Sequence, residues 1–95
     1  HVLIVGGGNI GLEKITAILN NSPETKITLV ARTVLPEITA LKDRLKHLTI
    51  FEREFEVSDL DGKDLVIAAT GHRTVSELIR KEATARKIFI NVADT

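Results

Sequence analysis

Near the start of the chain, Gly6-Gly7-Gly8-Asn9-Ile10-Gly11 fits the spacing G-x-G-x-x-G. An apolar run, Val2-Leu3-Ile4-Val5, precedes it and a helical pattern follows, the strand–turn–helix setting in which such a loop has chemical meaning. Gly6 permits a tight turn. Gly8 lets a pyrophosphate approach the backbone with no Cβ in the way, and Gly11 lets the helix pack closely on the strand. The amides of Asn9 and Ile10 then lie at a helix start, where free N–H groups and the positive end of the helix dipole favour phosphate. A tight βα turn without a ligand is the plainer alternative. The context favours a dinucleotide site built on Gly6, Gly8, Asn9, Ile10 and Gly11.

Further candidates sit where other strands end. Many folds that bind NAD place an acid after the second strand, hydrogen-bonded to the ribose 2′-hydroxyl. Here that place reads Val30-Ala31-Arg32-Thr33. Arg32 would grip the 2′-phosphate of NADP or simply point into water, so these residues leave NAD and NADP equally open. Ala68-Ala69-Thr70-Gly71 leaves room for a ribose or nicotinamide, with Thr70 either bonding the cofactor or capping locally. His72 has the reference pKa of a proton carrier but, beside Arg73, reads more simply as a solvated loop residue. Asp94, just past a final strand, would move a proton while a hydride leaves a substrate, or would only form a turn. His47, near a helix end, reads as a dipole partner. No spacing of His and carboxylates argues for a metal site.

The elements that must hold these residues alternate. Apolar runs at Val2–Val5, Ile27–Val30, Thr49–Phe51 (with Leu48 as an alternative start), Leu65–Ala69 and Ile88–Val92 read as strands. Between them, Gly11, Ile15 and Ile18 share a helical face, with Leu12 and Leu19 beside them. Pro36 opens a second helix carrying Ile38, Leu41, Leu45 and Leu48 at helical spacing. Thr74-Val75-Ser76-Glu77 fits a capping box for a third helix reaching about Lys87, with Val75, Leu78, Ile79 and Ala83 inward. Between the third and fourth strands lies a polar connection ending in the turn Asp61-Gly62. The pattern implies an α/β, Rossmann-like, doubly wound parallel sheet of order 3-2-1-4-5.

Composition narrows the function. The 95 residues suit one domain, and 13 basic residues balance 13 acidic ones, so no global field recruits nucleic acid or an anionic membrane. No apolar run is long enough to span a bilayer. The absence of Cys excludes disulfides, Fe–S clusters and thiolate zinc sites. With no Trp or Tyr and three Phe, base-stacking platforms are not expected. The expectation is a small soluble domain, with the cytoplasm as its default compartment.

Taken together, Val5-Gly6-Gly7-Gly8-Asn9 with Lys14 downstream, Asp59-Leu60-Asp61-Gly62 leading to Ile67-Ala68-Ala69-Thr70, and Asn91-Val92-Ala93-Asp94 resemble the dehydrogenase module of sirohaem synthases. These are precorrin-2 dehydrogenases, some of which are also sirohydrochlorin ferrochelatases. The resemblance implies NAD-dependent oxidation of the tetrapyrrole precorrin-2 to sirohydrochlorin, with Asp94 as the acid/base residue and a homodimeric full-length protein. It also implies that residues 1–95 are the dinucleotide-binding domain, without the downstream region that completes the dimer and covers the substrate. The chain departs from many relatives in having Arg32-Thr33 where they have Pro-Glu, and Gly71-His72 where they have paired acids. Two other readings stand beside this one: a nucleotide-sensing module without catalysis, and a generic NADP-dependent dehydrogenase of small molecules.

Overall fold

Every residue of β1, Val2–Val5, is buried, because this strand lies in the middle of the sheet and both its faces are covered. In the computed structural model, which describes residues 1–93, five parallel strands run in the order β3-β2-β1-β4-β5, as the alternation of elements requires. The other strands are β2, Ile27–Ala31; β3, Leu48–Glu52; β4, Leu65–Ala68; and β5, Phe89–Val92. The helices are α1, Asn9–Asn21; α2, Pro36–Lys42; and α3, Arg73–Ala85. None is long and apolar enough to cross a membrane.

Side chains of a strand point alternately to its two faces, and the two cores follow that rule. Val2 and Ile4 of β1 join Ile27, Leu29, Leu48 and Ile67 beneath Ile15 of α1 and Ile38 of α2. Leu3 and Val5 face the other way, joining Val30, Val66 and Ala68 beneath Ile79 and Ala83 of α3. Helices α1 and α2 therefore cover one face, and α3 with the connection after β3 covers the other. The direction in which successive strands are added to the sheet reverses between β1 and β4, and their carboxyl ends, Val5 and Ala68, are aligned in register. Such a switch point opens a crevice for a ligand in doubly wound sheets.

Several local expectations are corrected. Helix α2 stops at Lys42, short of Leu45 and Leu48. The Arg44 amide donates to the Leu41 carbonyl at 3.0 Å and the Leu45 amide to Lys42 at 3.4 Å, tightening the exit. Leu48 reaches the same core from β3, because β-pairing to Ile27 captures it first. The Thr74–Glu77 capping box does not form: α3 starts at Arg73 with His72 at its N-cap, so Thr74 is already helical. Leu78 of that helix is exposed rather than inward, and its inward face carries Ser76, Ile79 and Ala83. The polar connection after β3 holds a 3-10 helix, Val57–Leu60, whose Leu60 is fully buried. Its capping box joins Glu56 and Asp59, a signal present in the sequence but given by an acid rather than a hydroxyl residue.

Helix α3 ends two residues before Lys87. The Ile88 amide donates to the Ala83 carbonyl at 2.9 Å and the Lys87 amide to Thr84 at 3.1 Å, the paired bonds of a Schellman motif. That motif needs a left-handed residue, and Lys87 adopts it with φ of 58°. Glycine takes this conformation without the Cβ penalty. Lys87→Gly is therefore expected to stabilise the fold by about 0.5–1 kcal/mol, measured as a rise in the urea midpoint at unchanged slope.

Candidate functional site

At the carboxyl ends of β1, β2 and β4 lies an open cleft of about 1140 Å3. Its walls include Gly6–Ile10 from the glycine loop, Arg32 and Thr33 after β2, Arg53–Phe55 after β3, and Ala69–Val75 after β4. A second hollow of about 260 Å3, between α1 and the exit of α2, shares no residue with it. Seven of the expected site residues thus frame one region: Gly6, Gly8, Asn9, Ile10, Arg32 and Thr70 line the cleft, and Gly11 packs beneath the loop. Asp94 lies outside the described residues. The ladder nevertheless continues to its neighbour, since the Ala93 amide donates to the Ala68 carbonyl at 2.8 Å.

The glycines divide by what surrounds them. Gly6 has φ of +133°, and a Cβ there would sit 2.2 Å from the Ala69 carbonyl oxygen. A Cβ on Gly11 would lie 2.4 Å from the Gly6 carbonyl oxygen, so the helix rests directly on the loop. A Cβ on Gly8, by contrast, would meet nothing within 4 Å. Gly8 faces open space in the cleft, where a ligand's phosphate can approach the backbone. Gly8 is also the N-cap of α1, with no side chain capping it, and the first turn carries no acid. The Leu12 amide is the first to find an intrahelical partner, the Gly8 carbonyl at 3.0 Å. The preceding helix amides are left for an anion. These features fit the diphosphate of a dinucleotide.

Sequence reasoning missed Gly7. The middle glycine fills an unspecified position of the motif, yet a Cβ there would lie 2.4 Å from the Thr33 carbonyl oxygen and 3.0 Å from the Ala31 Cβ. Its own carbonyl accepts the Leu35 amide at 2.9 Å, which ties the exit of β2 to the loop.

Thr70 does act as a local cap. Its hydroxyl accepts the His72 amide at 2.9 Å and lies 3.4 Å from the hydroxyl of buried Ser76. That bonding shapes the turn into α3, and it leaves His72 and Arg73 exposed at the cleft. His47 lies beyond the end of α2 and outside its last turn, where its carbonyl accepts the Ile27 amide. Arg32 is largely exposed at the cleft, and its guanidinium is paired with Glu54.

The β3 side of the cleft is braced by Arg53. Its guanidinium bonds both Asp59 oxygens, at 2.6 and 3.0 Å, and lies 5.0 Å from the centre of the Phe51 ring. Asp59 also accepts the Glu56 amide at 2.8 Å. Burial pushes the Asp59 carboxyl upward, but the bonds from Arg53 and the Glu56 amide outweigh it, and the group ends below the usual carboxylate range. Among the described residues no cluster of three or more His, Cys, Asp or Glu is placed to hold a metal ion.

Comparison with known proteins agrees with this geometry. The NAD_binding_7 family, described as NAD(P)-binding, matches residues 1–95. The siroheme synthase of Thioalkalivibrio sulfidiphilus is 37% identical over 94 residues, covering 97% of this chain and 18% of that protein. The siroheme synthase of Psychrobacter cryohalolentis is 39% identical over 94 residues, covering 99% and 17%. The solved structure of SirC, a precorrin-2 dehydrogenase, superposes with a TM-score of 0.80 at 28% identity, covering 99% of this chain and 44% of that one. The chain thus spans about a fifth of the length of these synthases and under half of the dehydrogenase.

Two predictions follow from the loop and its brace. Gly7→Ala should destabilise the fold by about 1–3 kcal/mol through overpacking, whereas Gly8→Ala, which meets no neighbour and changes only the α1 N-cap, should cost about 1 kcal/mol or less and weaken dinucleotide binding by titration. The Asp59 carboxyl is depressed in the folded chain, so its contribution is complete above its unfolded pKa of about 3.9. That contribution is lost as the pH falls through the lower folded value. The stability gap between the native chain and Asp59→Asn should therefore be widest near neutrality and close as denaturation curves are repeated from about pH 5 downward.

Proposed function

The chain belongs to the NAD(P)-binding family NAD_binding_7, and from that premise we propose that it is the cofactor-binding domain of an NAD-dependent precorrin-2 dehydrogenase. The observation that carries the reading is the cradle at the switch point. Gly8 opens to the cleft, the α1 amides are uncapped, and the same arrangement of elements recurs over 99% of the chain in a precorrin-2 dehydrogenase. On this reading residues 1–95 form the dinucleotide domain of a longer protein, which also covers the tetrapyrrole and acts as a cytoplasmic homodimer.

The backbone of Gly8 and the amides of Asn9, Ile10 and Gly11 hold the diphosphate. Gly6 and Ala69, pressed together across β1 and β4, fix the floor on which the nicotinamide end lies. Thr70 keeps the β4–α3 turn folded back and leaves its backbone facing the cleft. Bound nicotinamide supplies the acceptor for a hydride from precorrin-2. Oxidation to sirohydrochlorin also releases protons, and Asp94, next in sequence after Ala93, is the carboxylate that takes one. Arg73, exposed at the cleft, is placed to meet a carboxylate of the substrate. An iron-inserting activity would treat the metal as a substrate in the same cleft.

A chimaera carrying residues 1–95 in place of the matching segment of SirC tests this assignment. Asp94→Ala in that chimaera should lower kcat for precorrin-2 oxidation by about 100-fold or more while NAD affinity by titration stays within about twofold. Undiminished turnover would remove Asp94 from the chemistry.

A further inference from the structure

The end of β2 carries no acid, only Ala31-Arg32-Thr33. The parallel register supplies one from the neighbouring strand. Val30 pairs with Phe51 and Ala31 with Glu52, so the two chains leave the sheet side by side. Arg32 and Glu54 then meet as an ion pair. Both line the same cleft as the glycine loop, and both are largely exposed, at 74% and 69% of their side chains. Arg53, the other arginine at this end, is committed to both oxygens of Asp59.

We propose that Glu54 is the residue that selects NAD over NADP, acting from β3 in the place where other dinucleotide folds use an acid on β2. The inference rests on the cofactor-domain reading above. Arg32 bonds one Glu54 oxygen, and a carboxylate has further acceptor positions that a ribose 2′-hydroxyl can fill. A 2′-phosphate brings about two negative charges to the same spot. It meets the carboxylate's repulsion and a guanidinium whose charge is already neutralised. Since the pair is exposed and screened, the preference is moderate and can be reversed by one substitution.

Calorimetric titration of the 95-residue chain with NAD and with NADP, in one buffer of low ionic strength, tests the proposal. The native chain should bind NAD more tightly. Glu54→Gln, which frees Arg32, should shift the affinity ratio towards NADP by about tenfold or more. Arg32→Ala combined with Glu54→Gln should lose the gain in NADP affinity. A ratio unchanged within about twofold in Glu54→Gln, or a native preference for NADP, overturns the role of Glu54 and leaves the cofactor domain intact. Failure of the native chain to bind either dinucleotide overturns the cofactor-domain reading and this inference together.

Discussion

Backbone approaches closer than any side chain allows converge on the turn after β1, and the architecture around it depends on them. Gly6 lies under the Ala69 carbonyl, Gly7 against the Thr33 carbonyl, and the Gly11 position against the carbonyl of Gly6. These contacts bring the ends of β1, β2 and β4 and the start of α1 into one small volume. A Cβ at any of the three would force backbone apart, since the neighbours are carbonyl groups rather than flexible side-chain tips. Gly8 differs, because its missing Cβ leaves space for something outside the chain. One short loop thus does two jobs: three glycines close the protein on itself and the fourth keeps it open to a ligand.

The sheet supports this loop by burying β1 on both faces and giving each face its own helices. The ends of β1 and β4 stay aligned because both strands are pinned by residues in opposite cores, Ile4 and Ile67 on one side, Val5 and Ala68 on the other. Beyond β3, side-chain bonds add to the packing. Arg53, bonded to Asp59 and stacked on Phe51, ties the exit of β3 to the 3-10 helix, which buries Leu60 against the α3 side of the sheet, with Phe55 partly buried nearby. Asp59 is largely buried, so this pair stabilises more than an exposed one such as Arg32–Glu54. A firm brace and a loose pair stand side by side on one wall, and only the loose pair is free to answer a ligand.

The sequence by itself determined the strands, their order and the glycine cradle. Apolar runs of four or five residues between amphipathic segments admit few topologies once crossovers must be right-handed. Gly6, Gly8 and Gly11 are legible because their spacing reflects local chain geometry. Local signals failed where two elements competed for a residue. Leu48 continues the helical spacing of α2 and also the pairing of β3, and the sheet prevailed. Thr74 and Glu77 spell a cap, but the bond from the His72 amide to Thr70 started the helix earlier. Only the tertiary structure decided why Gly7 must be a glycine and that Arg32 faces Glu54. Gly7 touches Thr33, and Arg32 touches Glu54. Contacts between residues some twenty or more positions apart depend on the register of one strand against its neighbour, which the pattern within each strand does not encode.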